Sequence, residues 1–420
     1  MRLDHLPGTP HLTYCTNIHA GETWTEISAS LDHYTPAIKS LVNPTQPFGL
    51  GLRLSAVAAA DLLRGNALDR FQDQLARLGA YVFTLNAFPY GPFHGAGVKE
   101  RVYEPDWRTE ERVAFTHQAA QILSALLPER GFGSISTVPG GFKSLARDPA
   151  AIAAIQENLL RAAADLVALE RETGRTVALA LEPEPCCLLE TTDETIAFFE
   201  HVLLAPAALA RFRHLARLGK PDAEARLRLH LGVCYDVCHG AVEFEDPVAA
   251  LHAYRRAGIV IPKIQLSAAI RVCGMQRELR PLLQRFDTGV YLHQAVVRGR
   301  TLARYRDLPD AFAALEAGLA DGEWRVHCHV PVFLPDLGEI GSTQAALLAT
   351  LRALRSEPFA PHLEVETYTW DVLPSQLKTS SKADDIAREL QFVLKELTHE
   401  RQRDPRPTVA RHAVQAGAGL

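Results

Sequence analysis

No stretch of this 420-residue chain is apolar over anything near the roughly 18 residues that a membrane-spanning helix needs. The first dozen residues carry Asp4, His5, Pro7 and Pro10 where a secretory signal requires an apolar core. Cysteine occurs seven times, an odd number and too few to form a disulfide framework in so long a chain. Buried thiols in a reducing compartment, and hence a cytoplasmic location, are expected. There is no excess of positive charge either: the formal net charge is -5, so no nucleic-acid or membrane partner is expected. The phosphate-cradling Walker loop, the Gly-x-Gly-x-x-Gly dinucleotide fingerprint and the Gly-x-Ser-x-Gly elbow are all missing. Nucleotide-driven, hydride-transfer and serine-esterase mechanisms lose their usual signatures with them.

What is present is an ordinary globular composition, 47% hydrophobic and 22% charged, able to bury a large core. Short β-branched runs alternate with longer amphipathic stretches, the pattern of repeated βα units and a parallel sheet. Strands are expected near residues 12–19, 48–55, 80–88, 133–138, 176–182, 229–236, 259–267 and 362–367, with a further apolar run at 324–333. Between them, Asp148-Pro149 and Asp246-Pro247 start helices, Gly174 and Gly258 end them, and Gly79 closes a helix beginning near Ala58. An α/β barrel needs about 250 residues and can exceed 400 with insertions, so the expectation is a (β/α)8 TIM barrel over residues 1–397. A long insertion at about 268–323, before the last barrel strand, sits on the catalytic face. The tail 398–420, rich in Arg, Pro, Ala and Gly, is expected to be disordered.

In such a barrel the chemistry lies at the C-terminal strand ends, so the polar residues that terminate apolar runs matter most. Glu182, Asp236 and Glu366 end three of them, Gln265 ends a fourth, and His327-Cys-His329 follows Trp324-Arg-Val. Three carboxylates in one apolar cavity are costly unless a cation neutralises them. With the Gln265 amide oxygen they form an oxygen-dominated set, which suits Mn, Mg or Co better than a thiolate zinc site. On a strand, His327 and His329 would point the same way, as two metal ligands or as one ligand and a proton shuttle. His239, three residues past Asp236, is a ligand or a supporting histidine. Glu364 and Glu184 are expected at the rim or behind the ligands. Lys263 either points inward to stabilise oxyanion charge or reaches solvent. Asn86, Tyr90 and His94 around the third strand, with His327, are candidate substrate contacts. The cysteines 186, 187, 234 and 238 near these positions lack zinc-type spacing and are expected as small buried residues.

The order Glu182, Asp236-Val-Cys-His239, Gln265, His327-x-His329, then Leu363-Glu-Val-Glu366-Thr, resembles the xylose-isomerase-like TIM barrel superfamily of sugar phosphate isomerases, epimerases and endonuclease IV. The stretches His11 to Trp24 and Glu364 to Trp370 resemble EboE-type metabolite-traffic proteins within it. The resemblance implies that Glu182, Asp236 and Glu366 bind a divalent metal (Mn, Mg, Co or Zn), with His239 and His329 available for another. It also implies a small-molecule substrate and protein partners from the same metabolic cluster. Two departures stand out: Gln265 occupies the place of the usual histidine, and Val138 precedes Pro139-Gly140 where the three-metal nucleases carry a ligand histidine. The reading is therefore a metal-dependent isomerase or epimerase acting on a small polyhydroxylated or carbonyl metabolite, in which Glu182 and Glu366 exchange a proton, assisted by Lys263 or His327. The alternatives are a metabolite-binding or traffic protein on the same barrel and, further away, a phosphodiester endonuclease.

Overall fold

The computed structural model describes residues 1–93, 99–274, 277–287, 289, 291–373, 378 and 381–398. Eight strands form one all-parallel sheet: β1 (His11–Tyr14), β2 (Phe48–Arg53), β3 (Ala80–Asn86), β4 (Phe132–Thr137), β5 (Thr176–Leu181), β6 (Leu231–Asp236), β7 (Lys263–Leu266) and β13 (His362–Val365), in the order β1-β13-β7-β6-β5-β4-β3-β2. Each coincides with an expected run. The ring closes between β1 and β2 through a threonine: Thr13 Oγ1 donates to Gly49 O at 2.8 Å and accepts from Gly51 N at 2.9 Å. Gly51 is required at this seam, because a Cβ there would collide with the Glu364 carboxylate and sit 2.8 Å from Tyr14 O.

The helices obey their caps. Asp148 accepts from the N–H groups of Ala150 and Ala151 at the start of Pro149–Thr173, which stops at Gly174 in the left-handed conformation. Asp246 caps Pro247–Arg256 by accepting from Ala249 N. The helix expected from Ala58 to Gly79 is two helices, Ala56–Leu62 and Ala67–Leu78, separated at Gly65, whose φ of 57° lies in the left-handed region. No single helix among the described residues is long and apolar enough to cross a membrane, although the bent pair Thr192–Leu203 and Pro206–Leu215 passes by length and composition.

The long insertion is a folded sheet. After β7 the chain builds five antiparallel strands, β8 (Ile270–Cys273), β9 (Ala295–Arg298), β10 (Leu302–Tyr305), β11 (Glu323–Val326) and β12 (Gly341–Ser342), in the order β10-β9-β11-β8-β12. The apolar run at 324–333 thus supplies an inserted strand rather than a barrel strand, and the sheet continues past Glu323 to Ser342. Trp324, fully buried, donates from its indole to Ala320 O at 2.9 Å. Cys238, Val242, Ala269 and Val296 join this sheet to the helix Val237–Val242 at the end of β6. Only then does the crossover helix Gln344–Leu354 lead back to β13. Of the tail expected to be disordered, all beyond Thr398 lies outside the described residues.

Candidate metal centre

Alternation along a strand sends every second side chain inward, and on β5, β6 and β13 that alternation ends in acids. Glu182, Asp236 and Glu366 are buried, and one oxygen from each lies within 4.8 Å of the others. Neighbours fix one oxygen of two of these carboxyls. Asp236 Oδ1 accepts from His239 N at 3.0 Å and from Ser267 Oγ at 2.8 Å, and Glu366 Oε1 accepts from Asn17 Nδ2 at 2.6 Å and Asn86 Nδ2 at 3.2 Å. Glu182 Oε2, Asp236 Oδ2 and Glu366 Oε2 are buried with no hydrogen-bond partner among the described residues. Burial, then the other carboxylates, pushes Glu182 and Glu366 well above the usual carboxylate range. Three unpartnered and mutually repelling oxygens, two of them on carboxyls already oriented by their neighbours, fit a hard divalent cation.

Histidines make the next layer, and their protonation follows from their partners. His239 Nδ1 faces Pro183 O at 2.9 Å and His329 Nδ1 faces Glu366 O at 2.9 Å, so each must carry its hydrogen on Nδ1. Gln294 Nε2 lies 3.2 Å from both Glu184 Oε1 and Pro185 O, which identifies it as the NH2 end and turns Gln294 Oε1 to His327 Nδ1 at 2.8 Å. His327 therefore also carries its hydrogen on Nδ1. All three Nε2 lone pairs then face the site, the arrangement seen where an outer hydrogen bond sets a metal-binding tautomer. Donor atoms fall within 4.8 Å in the sets Asp236, His239, His329 and Glu184, His239, His327. Burial, then the neighbouring histidines, lowers His239 and His327 well below the ordinary histidine value, keeping them neutral. Glu184, buried and accepting from Tyr103 Oη at 2.6 Å, is pushed up to about 8, mainly by burial.

His327 and His329 do not sit on a strand, as expected from their spacing. They follow β11, and the inserted sheet rather than the barrel brings them in. Gln265 lies on β7 in register with Asp236, its Oε1 accepting from Cys234 Sγ at 3.1 Å and its Nε2 buried without a partner among the described residues. A half-turn of that amide would exchange the two ends. Lys263 points inward but one layer deeper, with Nζ 2.6 Å from Glu364 Oε2 and 3.3 Å from Ser136 Oγ, both acidic and basic partners fully buried. Burial lowers its affinity for a proton, and the Glu364 carboxylate more than restores it.

A cleft of about 550 Å³, counted out to open solvent, rises above these groups. Asn86 lines it, as do Glu182, Glu366 and the three histidines. Tyr90 does not: its ring packs edge-on against Phe115, 5.3 Å between centroids, beneath the Arg112 guanidinium. His94 lies outside the described residues. Sequence reasoning passed over Asn17, Tyr103, Gln294, Tyr291 and Tyr368. Asn17 follows β1 within a polar strand end, a signal of the kind used for the acids, whereas Tyr103 ends the short 3-10 helix Lys99–Tyr103 and the others sit in loops, all with no marking pattern.

No family model and no curated protein matches the chain. Among solved structures it is similar to the probable 3-DHS dehydratase AsbF of Bacillus anthracis, with 13% identity over 91% of this chain and 98% of that one, TM-score 0.42. It is similar to the IolI protein with a bound zinc atom, with 11% identity over 92% of this chain and 97% of that one, TM-score 0.42. It is also similar to a xylose isomerase domain protein from Planctomyces limnophilus, with 15% identity over 84% of this chain and 98% of that one, TM-score 0.43. At this identity and superposition the likenesses bear on neither substrate nor reaction.

Proposed function

We propose that the protein is a divalent-metal-dependent isomerase or epimerase acting on a small hydroxy-carbonyl metabolite. The observation that carries this reading is the convergence of Glu182, Asp236 and Glu366 from three barrel strands, each with one buried oxygen lacking a partner among the described residues. These three would hold the ion, with His239 and His329 available to a second and Gln265 beside Asp236. A divalent ion bound there would polarise a carbonyl and hydroxyl pair and acidify the carbon between them. Glu366, aligned by Asn17 and Asn86, and Glu182 are the groups placed to take and return that proton. Lys263, engaged with Glu364 below, supports the carboxylate floor as a buried counter-charge rather than by touching substrate. That all seven cysteines are free thiols supports a cytoplasmic setting.

The decisive test is metal content of the purified protein by mass spectrometry, together with melting temperature against added Mn, Co or Zn. Bound metal in stoichiometric amount and a rise in melting temperature are expected; neither appearing overturns the reading. A second reading, a metabolite-binding or traffic protein within a metabolic cluster, is favoured by Gln265 in place of a histidine and by the EboE-like sequence segments. Ligand binding without turnover, unaffected by Asp236→Asn, would select it.

A further inference from the structure

Three rings from three separate segments meet at the cleft. Phe93 follows β3, Tyr291 comes from the inserted segment and Tyr368 follows β13. Their centroids lie 5.1 Å (Phe93 to Tyr291), 5.5 Å (Phe93 to Tyr368) and 5.1 Å (Tyr291 to Tyr368) apart. Tyr291 Oη donates to Phe93 O at 2.9 Å, which turns its polar end onto the protein. Tyr368 leans on His329, 4.8 Å between centroids, so the aromatic cluster abuts the histidines of the metal centre. All three line the cleft. A site for a wholly polar polyol would spend this wall on hydrogen-bonding groups, as the carboxylate and asparagine floor does.

Charge narrows the ligand further. Lys99 is the one lysine or arginine lining the cleft among the described residues, and its Nζ is 2.7 Å from Asp307 Oδ2. Asp307 in turn accepts from the N–H groups of His293 and Leu308, both at 3.0 Å, so the pair is anchored to the inserted segment. A phosphate would meet a cation already neutralised. We infer that the substrate is an unphosphorylated compound whose chelating hydroxy-carbonyl end meets the carboxylate floor while a flat apolar ring lies against Phe93, Tyr291 and Tyr368.

This inference rests on the metal reading above, and the test separates the two. Uptake of Mn2+ by the full-length protein, followed by electron paramagnetic resonance, judges that reading first. Calorimetry on the Mn2+-loaded protein then compares 2-hydroxyacetophenone with hydroxyacetone, which share the hydroxy-ketone and differ by the ring, and with dihydroxyacetone phosphate. Binding of 2-hydroxyacetophenone at least about tenfold tighter than either other probe is expected. Phe93→Ala and Tyr291→Ala should abolish that preference with Mn2+ affinity unchanged. A protein that takes up Mn2+ yet binds the ring compound no better than hydroxyacetone, or binds the phosphate best, overturns this inference alone. So does a ring preference that survives both substitutions. A protein that takes up no Mn2+ overturns both.

Discussion

His239 Nε2 and His327 Nε2 face each other at 3.1 Å, one from the helix after β6 and the other from the end of an inserted strand. Because Pro183 O and Gln294 Oε1 claim the Nδ1 hydrogens, two lone pairs are opposed across a buried gap. Only a proton or a cation between or beside them relieves that repulsion. His327→Ala should therefore take up one fewer equivalent of Zn2+ than the parent protein, measured by mass spectrometry after dialysis. Equal uptake would show that His327 is not a metal ligand and leave the set Asp236, His239 and His329 as the second site.

Glu366→Gln keeps the bonds to Asn17 or Asn86 on one end of the amide but removes both the negative charge and the proton acceptor. Turnover should fall by at least about 10²-fold, as for loss of a positioned acid or base. The metal-free variant should at the same time melt above the metal-free parent, since one of three repelling buried carboxylates has gone. A lower melting temperature with normal turnover contradicts the proposal.

The pH dependence has a defined sign. Glu182, Glu366 and Glu184 all hold protons more tightly folded than unfolded, Glu184 up to about 8. A raised folded value adds stability at pH below the unfolded carboxyl value of about 4.3, and that stability is lost as pH rises through the folded value. The metal-free protein should thus weaken from pH 5 to 8. Metal ligands must be deprotonated, so metal binding strengthens over the same range. The gap in melting temperature between metal-loaded and EDTA-treated protein should widen from pH 5 to 8 in scanning calorimetry; a constant or narrowing gap is the contrary result.

Lys263 and Glu364, 2.6 Å apart and fully buried, are a pair in which neither charge tolerates being alone. Lys263→Met should cost about 3–5 kcal/mol in urea unfolding. Adding Glu364→Gln to it should recover part of that loss, because the uncompensated charge is gone. If the double substitution is as costly as the two single ones summed, the pair is not the source.

Much of this was legible because it is local. Period-two alternation ending in an acid can be read from six or seven residues, as at Val177 to Glu182, and parallel topology brings such ends to one face of the barrel. The residues that escaped notice depend on contacts between distant segments. Asn17 earns its place only by reaching Glu366 across the β1–β13 seam, and Tyr103 only by donating to Glu184. Tyr90 and Phe93 stand three residues apart in one loop, yet one packs outward on Phe115 and the other lines the cleft.

Near-neighbour periodicity and capping chemistry are enough to specify the eight parallel strands, the helix caps between them and the three strand-end carboxylates. The tertiary structure alone decided that the inserted residues fold as an antiparallel sheet delivering His327, His329 and Gln294 to the barrel mouth. It also decided that Lys263 pairs below the site and that three rings from separate loops form one wall. Those outcomes depend on which distant surfaces can be buried together, and no pattern within a single segment encodes that.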